Sequence, residues 1–424
     1  MFNNYGMEDY EILESAEEVC NGKLILSLED LSFLLNRTID LTFHQKVEDR
    51  LILGILREQI SAADLDDDDE AEVIFEAIVR IQRGKMDEPA QALDIAAESG
   101  ISFTETRYFN ETAENLRDYL LSKTFSAEIV KRMIRLGIDI NQPLLNGCTP
   151  AYIAADRAFQ PKSSWEEKGQ EEELAKAAAF FSRESMEALN AHGTSAVHRA
   201  IRNHHVKMLQ VMTAAGIDVN LSEDYPAVTG FSLLHTACLY GYPEIVSILT
   251  EAGADDTRLS GKEESPAHTA LFCHYVTGSK RLTIEERAAL IKALKHIDVP
   301  GKDGRTPMMT ALTSSDYDIR RNLPPVFLEK GADVNHRDND GNTPLILGGD
   351  IDMVKALVEA GADVNARNSN GDTPLHRALE EGRIREAKYL LRKGADYNVL
   401  NNSQVTPIQI AVEKGMDEVL QLME

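Results

Sequence analysis

The sequence predicts an all-α fold, a helical solenoid of about nine to eleven helix-turn-helix repeats with short β-turn fingers. Two segments recur along the C-terminal half. A Gly-Ala-Asp-x-Asn segment begins at Gly331, Gly361 and Gly394. A Thr-Pro dipeptide begins at Thr343, Thr373 and Thr406. Segments that return at a period of about 33 residues are typical of repeat proteins, in which each repeat packs only against its neighbours.

Each repeat begins with residues that start a helix. Thr373 can accept a hydrogen bond from a free backbone N–H of the first turn. Pro374 follows at the first helical position, where proline loses no needed donor. The same reasoning applies to the other Thr-Pro and Ser-Pro sites, so we expect a first helix to begin at each of them.

The second helix of each repeat shows a helical apolar face. In one repeat its apolar residues are Ile351, Val354, Leu357 and Val358. Spacings of three and four residues predict one buried face on a helix. Gly361 then suits the left-handed conformation that ends a helix. Only neighbouring repeats can cover such a face, so the repeats must stack.

Nine repeats can be traced from residue 91 onward. Their starting positions are 91, 149, 195, 232, 265, 306, 343, 373 and 406. The motif is clear from about residue 190 onward and weaker before it. We expect residues 1–90 to hold degenerate helical repeats that cap the N-terminal end, and residues 91–424 to form the array.

The repeated motif resembles the ankyrin repeat, whose mark is Thr-Pro-Leu-His-x-Ala at a period of about 33 residues. The step from Thr373 to Thr406 is 33 residues. The histidine position of the motif is occupied by His198, His235, His268 and His376. The resemblance implies antiparallel helix pairs, with these imidazoles bonded to the backbone of the adjacent turn.

Several repeats are longer than the period. The steps between starting positions are 58, 46, 37, 33, 41, 37, 30 and 33 residues. Matching the flanking helices places the extra residues near 101–125, 158–182, 276–283 and 313–324, between the first and second helices. Such insertions would decorate the edge away from the fingers. They either form a second binding surface or reflect neutral length variation, which surface loops tolerate.

Charge limits the class of partner. The chain has 70 acidic and 44 basic residues, a net charge of −26, which would repel a phosphate backbone or an anionic membrane. We expect instead a protein partner with a basic patch. The chain shows no secretory pattern at its start, and its four cysteines lie far apart, so we expect a monomer in the reducing cytoplasm.

Two clusters could suggest metal chemistry, and neither has the required pattern. The acidic run 64–70 lacks the glycine and glutamate of a calcium loop, because Asp69 and Phe75 stand at those positions. A histidine group consists of His192, His198, His204 and His205. His198 belongs to the repeat motif itself. The chain has no nucleophile-elbow or phosphate-loop motif, so we predict neither an enzyme nor a cofactor.

The resemblance implies a partner-binding surface made of turn fingers and first helices. The positions that match it are His336, Arg337, Asn339, Asp340, Asn342, Arg367, Asn370, Asp372, Glu380, Glu381, Arg383, Tyr240 and Tyr242. Tyrosine is a common interface anchor, whereas plain solubility could explain each polar residue alone. The predicted function is an adaptor or scaffold. The alternative is an inhibitor or regulator of an enzyme with a basic cleft.

Trp165, the only tryptophan, lies in the second insertion. Its indole either packs on its own repeat, near Phe159 or Phe180, or anchors a partner at the insertion edge. In the second case Arg320, Arg321 and Tyr275 would lie further along the same edge. We include Trp165 among the candidate partner-binding residues.

Overall fold

The computed structural model describes most of the chain. The described residues are 7–41, 49–63, 91–103, 107–109, 112–114, 116–123, 126–156, 164–223, 229–272 and 282–423, with a few positions between 70 and 81. They form two compact modules. The N-terminal module comprises Met1–Ala191 with Ser195–Ile217, and the C-terminal module comprises His192–Thr194 with Asp218–Glu424.

The N-terminal module is built from helices. They span Asp9–Cys20, Leu28–Leu41, Asp49–Ala62, Gln91–Glu98, Leu116–Lys123, Ala127–Arg135, Pro150–Asp156, Ser164–Ala178, Arg183–Glu187, Ala196–Arg202 and Val206–Ala214. The third of these helices packs against both of the first two. Its residues Ile52, Ile55 and Leu56 are fully buried, with Leu34 and Leu35 of the second helix. These helices, in the region predicted to hold degenerate repeats, therefore share an apolar core.

The range 101–125, predicted to be an insertion, contains regular structure, and its helix Leu116–Lys123 contacts the first helix Pro150–Asp156 of the next repeat. Strand Arg107–Phe109 pairs antiparallel with Thr112–Glu114, and the helix Leu116–Lys123 follows. A buried ion pair joins Arg117 to Asp118 at 2.7 Å. Arg117 also donates to the carbonyl of Pro143 at 3.1 Å, and Asp118 accepts from the N–H of Leu145 at 2.8 Å. The pair thereby fastens the insertion to the following turn.

The structure corrects the predicted placement of the second insertion, near 158–182. The helix Ser164–Ala178 lies within that range and packs against Ala127–Arg135 and Val206–Ala214, which are second helices of the neighbouring repeats. Its residues Ala177 and Ala178 are fully buried. It is therefore itself the second helix of its repeat, because its small apolar face fits between those neighbours. The extra residues lie on both sides of it.

The C-terminal module continues the pattern. Its helices span Leu233–Tyr240, Pro243–Glu251, Pro266–Leu271, Ile284–Ala293, Pro307–Leu312, Tyr317–Asn322, Pro324–Glu329, Pro344–Leu347, Ile351–Glu359, Pro374–Glu380, Ile384–Arg392, Pro407–Glu413 and Asp417–Leu420. Two residue pairs, Ser222–Glu223 and Phe231–Ser232, form a short antiparallel ladder. Successive first helices contact one another, as do successive second helices. This two-layer stacking confirms the predicted helical solenoid.

The helix starts follow the predicted capping chemistry. Thr343 accepts from the N–H of Ile346 at 3.3 Å, and Thr406 accepts from the N–H of Gln409 at 3.3 Å. Proline stands at the first helical positions that follow these threonines. The cap satisfies a backbone donor that the helix itself cannot pair.

The remaining insertions lie in the C-terminal module. The helix Tyr317–Asn322 occupies the 313–324 region, between the first helix Pro307–Leu312 and the second helix Pro324–Glu329. Asp316 caps this inserted helix by accepting from the N–H of Asp318 at 3.0 Å. Residues 273–281, with Tyr275 and most of the predicted 276–283 insertion, lie outside the described residues.

Candidate partner-binding surface

One aspartate or asparagine organises each of the three C-terminal turn fingers. These residues are Asp338, Asn368 and Asn401, each standing five positions before the capping threonine of its repeat. In the first finger, the Oδ1 atom of Asp338 accepts from the N–H of Asp340 at 3.0 Å and of Asn342 at 2.8 Å. Asn368 and Asn401 each make the same two bonds in their own fingers. A side chain thus replaces the backbone partners that a tight turn lacks.

Neighbouring fingers are joined by backbone hydrogen bonds. The N–H of Asn339 donates to the carbonyl of Asp303 at 2.9 Å, and the N–H of Ser369 donates to the carbonyl of Asp340 at 2.8 Å. The N–H of Asn402 donates to the carbonyl of Asn370 at 2.9 Å. The spacing between these fingers is therefore set by the main chain, and side chains at their tips stand in a defined row.

The motif histidines tie first helices to the next finger, as the resemblance implied. The Nδ1 atom of His235 accepts from the N–H of Ser232 at 3.2 Å, so the proton is on Nε2, which donates to the carbonyl of Glu264 at 2.8 Å. His268 and His376 make the corresponding bonds to Arg305 and Val405. Burial lowers the pKa of His235 and of His268 to about 4. These imidazoles are neutral structural groups at neutral pH.

The asparagine of the Gly-Ala-Asp-x-Asn segment also links repeats. Asn335 accepts from the N–H of Asp363 at 2.9 Å and donates to the carbonyl of Gly361 at 3.1 Å. Asn365 repeats this pattern, accepting from Asp396 at 2.8 Å. One amide side chain thus satisfies a donor and an acceptor of the following turn, which accounts for asparagine at this position.

Three of the predicted contact residues lie at exposed finger tips. They are Asn339, Asp340 and Asn370. Within the part of the chain that the structure describes, their side chains form no hydrogen bond or ion pair with the protein. Their polar groups remain available to a partner.

Other predicted contact residues support the fingers. Arg337 donates to the carbonyl of Arg367, and Arg367 donates to the carbonyl of Leu400 at 2.7 Å. His336 hydrogen-bonds the carbonyl of Gly304 at 2.9 Å, and Asn342 accepts from Asn368 at 2.9 Å. These side chains connect adjacent fingers, so their groups are already partly engaged.

The placement of Asp372 differs from the prediction. It is only 7 % exposed, and its carboxylate accepts from the side chain of Asn401 at 2.8 Å. Its position directly before the capping threonine turns it inward, against the next finger. Sequence reasoning did not identify Asp338, Asn368 or Asn401, although their constant distance from the threonine was a usable signal.

The three predicted residues at the end of one first helix form a charge network. Arg377 pairs with Glu380 at 2.9 Å and with Glu381 at 2.8 Å. Arg383 pairs with Glu381 at 3.1 Å and also contacts the carboxylate of Glu386. Burial raises the pKa of Glu386 to about 7, although Arg383 opposes the shift. The network fixes the loop between the two helices.

The predicted tyrosines form a pair. The rings of Tyr240 and Tyr242 are stacked, with centroids 6.3 Å apart and an interplanar angle of 25°. Both are half-buried, and burial raises the pKa of Tyr242. The pair offers an aromatic surface at the end of a first helix, where the loop to the second helix begins. Trp165 lies in the helix Ser164–Ala178, and its side chain lies outside the described residues, so both interpretations of its role remain predictions.

Within the histidine group, the burial and contacts of His198 give that residue a structural role. His198 is fully buried, and its Nδ1 atom lies 2.9 Å from the hydroxyl of the capping residue Ser195. Burial lowers the pKa of His198 to about 3. Across the described ranges, no three His, Cys, Asp or Glu side chains are grouped as a metal site would require. The acidic run 64–69 lies outside these ranges.

None of the described helices combines the length and the apolar character needed to cross a bilayer.

Comparison with known proteins gives several relatives. The human protein named Ankyrin repeat and SOCS box protein 6 is 31 % identical over 152 residues, 34 % of this chain and 34 % of that protein. The mouse Protein phosphatase 1 regulatory subunit 27 is 33 % identical over 71 residues, 17 % of this chain and 44 % of that protein. The human Ankyrin repeat domain-containing protein 63 is 42 % identical over 65 residues, 15 % and 17 % of the two chains. The chain spans about a third of the SOCS box protein's length.

A solved structure and a family model complete the comparison. The ankyrin repeat domain of Bcl-3 aligns with a TM-score of 0.45 and 23 % identity, over 54 % of this chain and 99 % of that one. The family model described as ankyrin repeats matches three times, at residues 166–260, 282–368 and 347–423. These matches cover more than half of the 424 residues. The chain therefore belongs to the ankyrin-repeat family, whose repeats serve protein–protein interaction.

Proposed function

We propose that this chain is a non-catalytic adaptor or scaffold that holds a protein partner through the C-terminal fingers and first helices. The observation that carries the proposal is the ordered row of fingers. Asp338, Asn368 and Asn401 hold the finger backbones, while Asn339, Asp340 and Asn370 are exposed at the tips. A surface with little left to order on binding loses less conformational entropy when a partner docks.

The Tyr240 and Tyr242 pair supports the same proposal. Stacked aromatic rings present a large contact area with few rotatable bonds, which is the usual character of an interface anchor. The two rings are half-buried before any partner arrives. We expect the pair to supply apolar contact while the finger tips supply hydrogen bonds.

The experiment compares matched double variants in partner capture from the native host. Asp340→Ala with Asn370→Ala alters two finger tips, whereas Glu359→Ala with Asn398→Ala alters an acid and an asparagine that are exposed elsewhere. The proposal predicts that a protein captured by the wild type is lost with the finger variant and kept with the control. Equal capture by both variants would contradict the finger surface.

A second candidate function is regulation of an enzyme with a basic substrate cleft. Two observations favour it: the net charge of −26, and the 71-residue similarity to a protein named as a phosphatase regulatory subunit. An acidic surface accelerates association with a basic one, and salt screens this effect. Identification of the captured partner decides between the two functions. For either, we expect slower association at higher ionic strength.

We also propose that the chain acts as a monomer in the cytoplasm. Among the described residues, Cys20, Cys148 and Cys238 form no disulfide, which supports a reducing compartment. Sedimentation of the purified chain and fractionation of the native host would test the two parts separately.

A further inference from the structure

A cleft of about 300 Å³ lies in the C-terminal module, beside the inserted helix Tyr317–Asn322. Its wall on one side is the inserted helix, and its wall on the other is the loop that carries Arg383. The charged and aromatic residues that line it are Tyr317, Arg320, Arg321, Asp350, Glu381 and Arg383. The cleft is separate from the finger tips of the proposed function.

The carboxylates of this cleft are already engaged. Asp350 caps the following helix by accepting from the N–H of Met353 at 2.9 Å. Glu381 pairs with Arg377 at 2.8 Å and with Arg383 at 3.1 Å. Both carboxylates therefore already interact with neighbouring groups of the protein.

The two arginines of the inserted helix have neutral partners. Arg320 donates to the carbonyl of Ser314 at 2.9 Å, and Arg321 donates to the hydroxyl of Tyr317 at 2.6 Å. The guanidinium carbons lie 5.8 and 6.0 Å from the centre of the Tyr317 ring. Among the described residues, neither arginine forms an ion pair.

Two carboxylates act on Arg321 through space without forming an ion pair with it. The hydrogen bond to Tyr317 is the largest cause that raises the pKa of Arg321, and Asp350 and Asp352 add to it through space. Asp352 is paired with Lys355 at 3.3 Å. The cleft therefore presents two adjacent guanidinium groups that form no ion pair within the described part of the chain, whose full sequence has a net charge of −26.

We propose that this cleft binds an acidic segment of a protein partner, with Arg320 and Arg321 pairing with its carboxylates. Guanidinium groups donate in a planar fork that fits a carboxylate. Tyr317, which is 57 % exposed, supplies an apolar face for the stem of the incoming side chain. The inference deepens the proposed function and rests on it, because it assumes that the chain binds a protein.

The test uses the full chain and an acetylated, amidated hexaglutamate peptide as the probe, with hexaglutamine as its uncharged counterpart. Calorimetric titration should show saturable binding of hexaglutamate and none of hexaglutamine. Arg320→Gln with Arg321→Gln should weaken the binding at least about tenfold, the loss of about 1.4 kcal/mol. Unchanged affinity in this variant, or no binding to the wild type, would overturn the proposal.

Two controls distinguish binding in the cleft from a general attraction between charges. Arg135→Gln with Arg392→Gln removes the same charge from exposed helix ends elsewhere and should leave the affinity unchanged. An equal loss there would mean that net charge, not the cleft, attracts the peptide. Displacement of the peptide by equimolar inorganic phosphate would also overturn the proposal, because a simple anion would then suffice.

The Asp340→Ala, Asn370→Ala variant separates this inference from the proposed function. It should bind hexaglutamate as the wild type does, even though it fails to capture the partner. If that variant binds hexaglutamate and also captures the partner as the wild type does, the cleft proposal would be supported and the finger surface rejected. If the Asp340→Ala, Asn370→Ala variant loses partner capture but the wild type does not bind hexaglutamate, the finger surface would be supported and the cleft proposal rejected.

Discussion

The carboxylate of Asp338 accepts a hydrogen bond from the Nε atom of Arg305, 3.3 Å away, and so joins one finger to the repeat before it. The same carboxylate holds the N–H groups of Asp340 and Asn342. With its side chain only 1 % exposed, Asp338 is a buried acceptor that several donors share.

Replacing Asp338 should therefore destabilise the module. The loss of stability should be smaller when the new side chain still offers an acceptor at this position. Asp338→Ala leaves the donors unpaired and should lower the free energy of unfolding by about 2–4 kcal/mol. Asp338→Asn keeps the acceptor that Asn368 and Asn401 provide in their fingers, so its loss should be about 1 kcal/mol. Denaturant titration measures both, and equal losses would contradict this role.

His268 should make stability depend on pH. Its pKa in the folded chain is lowered from 6.5 to about 4 by burial, so the unfolded chain binds the proton more strongly. Its contribution is complete above about pH 6.5 and is lost as the pH falls towards 4. His268→Gln, which places there the residue found at Gln409 in the last repeat, should reduce this dependence.

The measurement is the difference in unfolding free energy between the wild type and His268→Gln at several pH values. The difference should change between pH 6.5 and 4, by on the order of 2–3 kcal/mol. Groups common to both chains, including Glu386, whose raised pKa of about 7 has the opposite sign, cancel in the comparison. Parallel curves would show that His268 titrates normally.

Asn365 should stabilise the array and Asn398 should not, although both end a Gly-Ala-Asp-x-Asn segment. Asn365 bonds to the backbone of Gly394 at 3.1 Å and Asp396 at 2.8 Å. The side chain of Asn398 has no such contact among the described residues. We expect Asn365→Ala to cost about 1–2 kcal/mol and Asn398→Ala less than about 0.5 kcal/mol. Hydrogen exchange at Asp396 would locate the effect.

Two glycines with positive φ should differ in their tolerance of alanine. Gly361 has φ 97°, and a Cβ atom there would meet nothing within 4 Å. Its replacement should cost about 1–2 kcal/mol of backbone strain. Gly348 has φ 79° and ψ −156°, and a Cβ atom there would collide with the guanidinium of Arg383. Gly348→Ala should cost about 3 kcal/mol or more. Similar melting temperatures for the two variants would contradict the backbone strain predicted at Gly348.

The sequence alone determined the repeat architecture of this protein. A cap at Thr373, a proline at Pro374 and a glycine at Gly361 act on neighbouring backbone groups, so their effect can be read without knowing what is packed nearby. The apolar spacing of Val354 and Leu357 similarly predicted which face is buried, and both residues are buried. The resemblance to the ankyrin repeat also implied the contact of the motif histidine with the next turn.

Only the tertiary structure decided which polar residues are available to a partner. Asn370 and Asp372 are two residues apart in one finger, yet Asn370 is exposed and Asp372 is buried against Asn401 of the next finger. Such outcomes depend on groups about 30 residues away, because each repeat completes its hydrogen bonds with the repeat stacked on it.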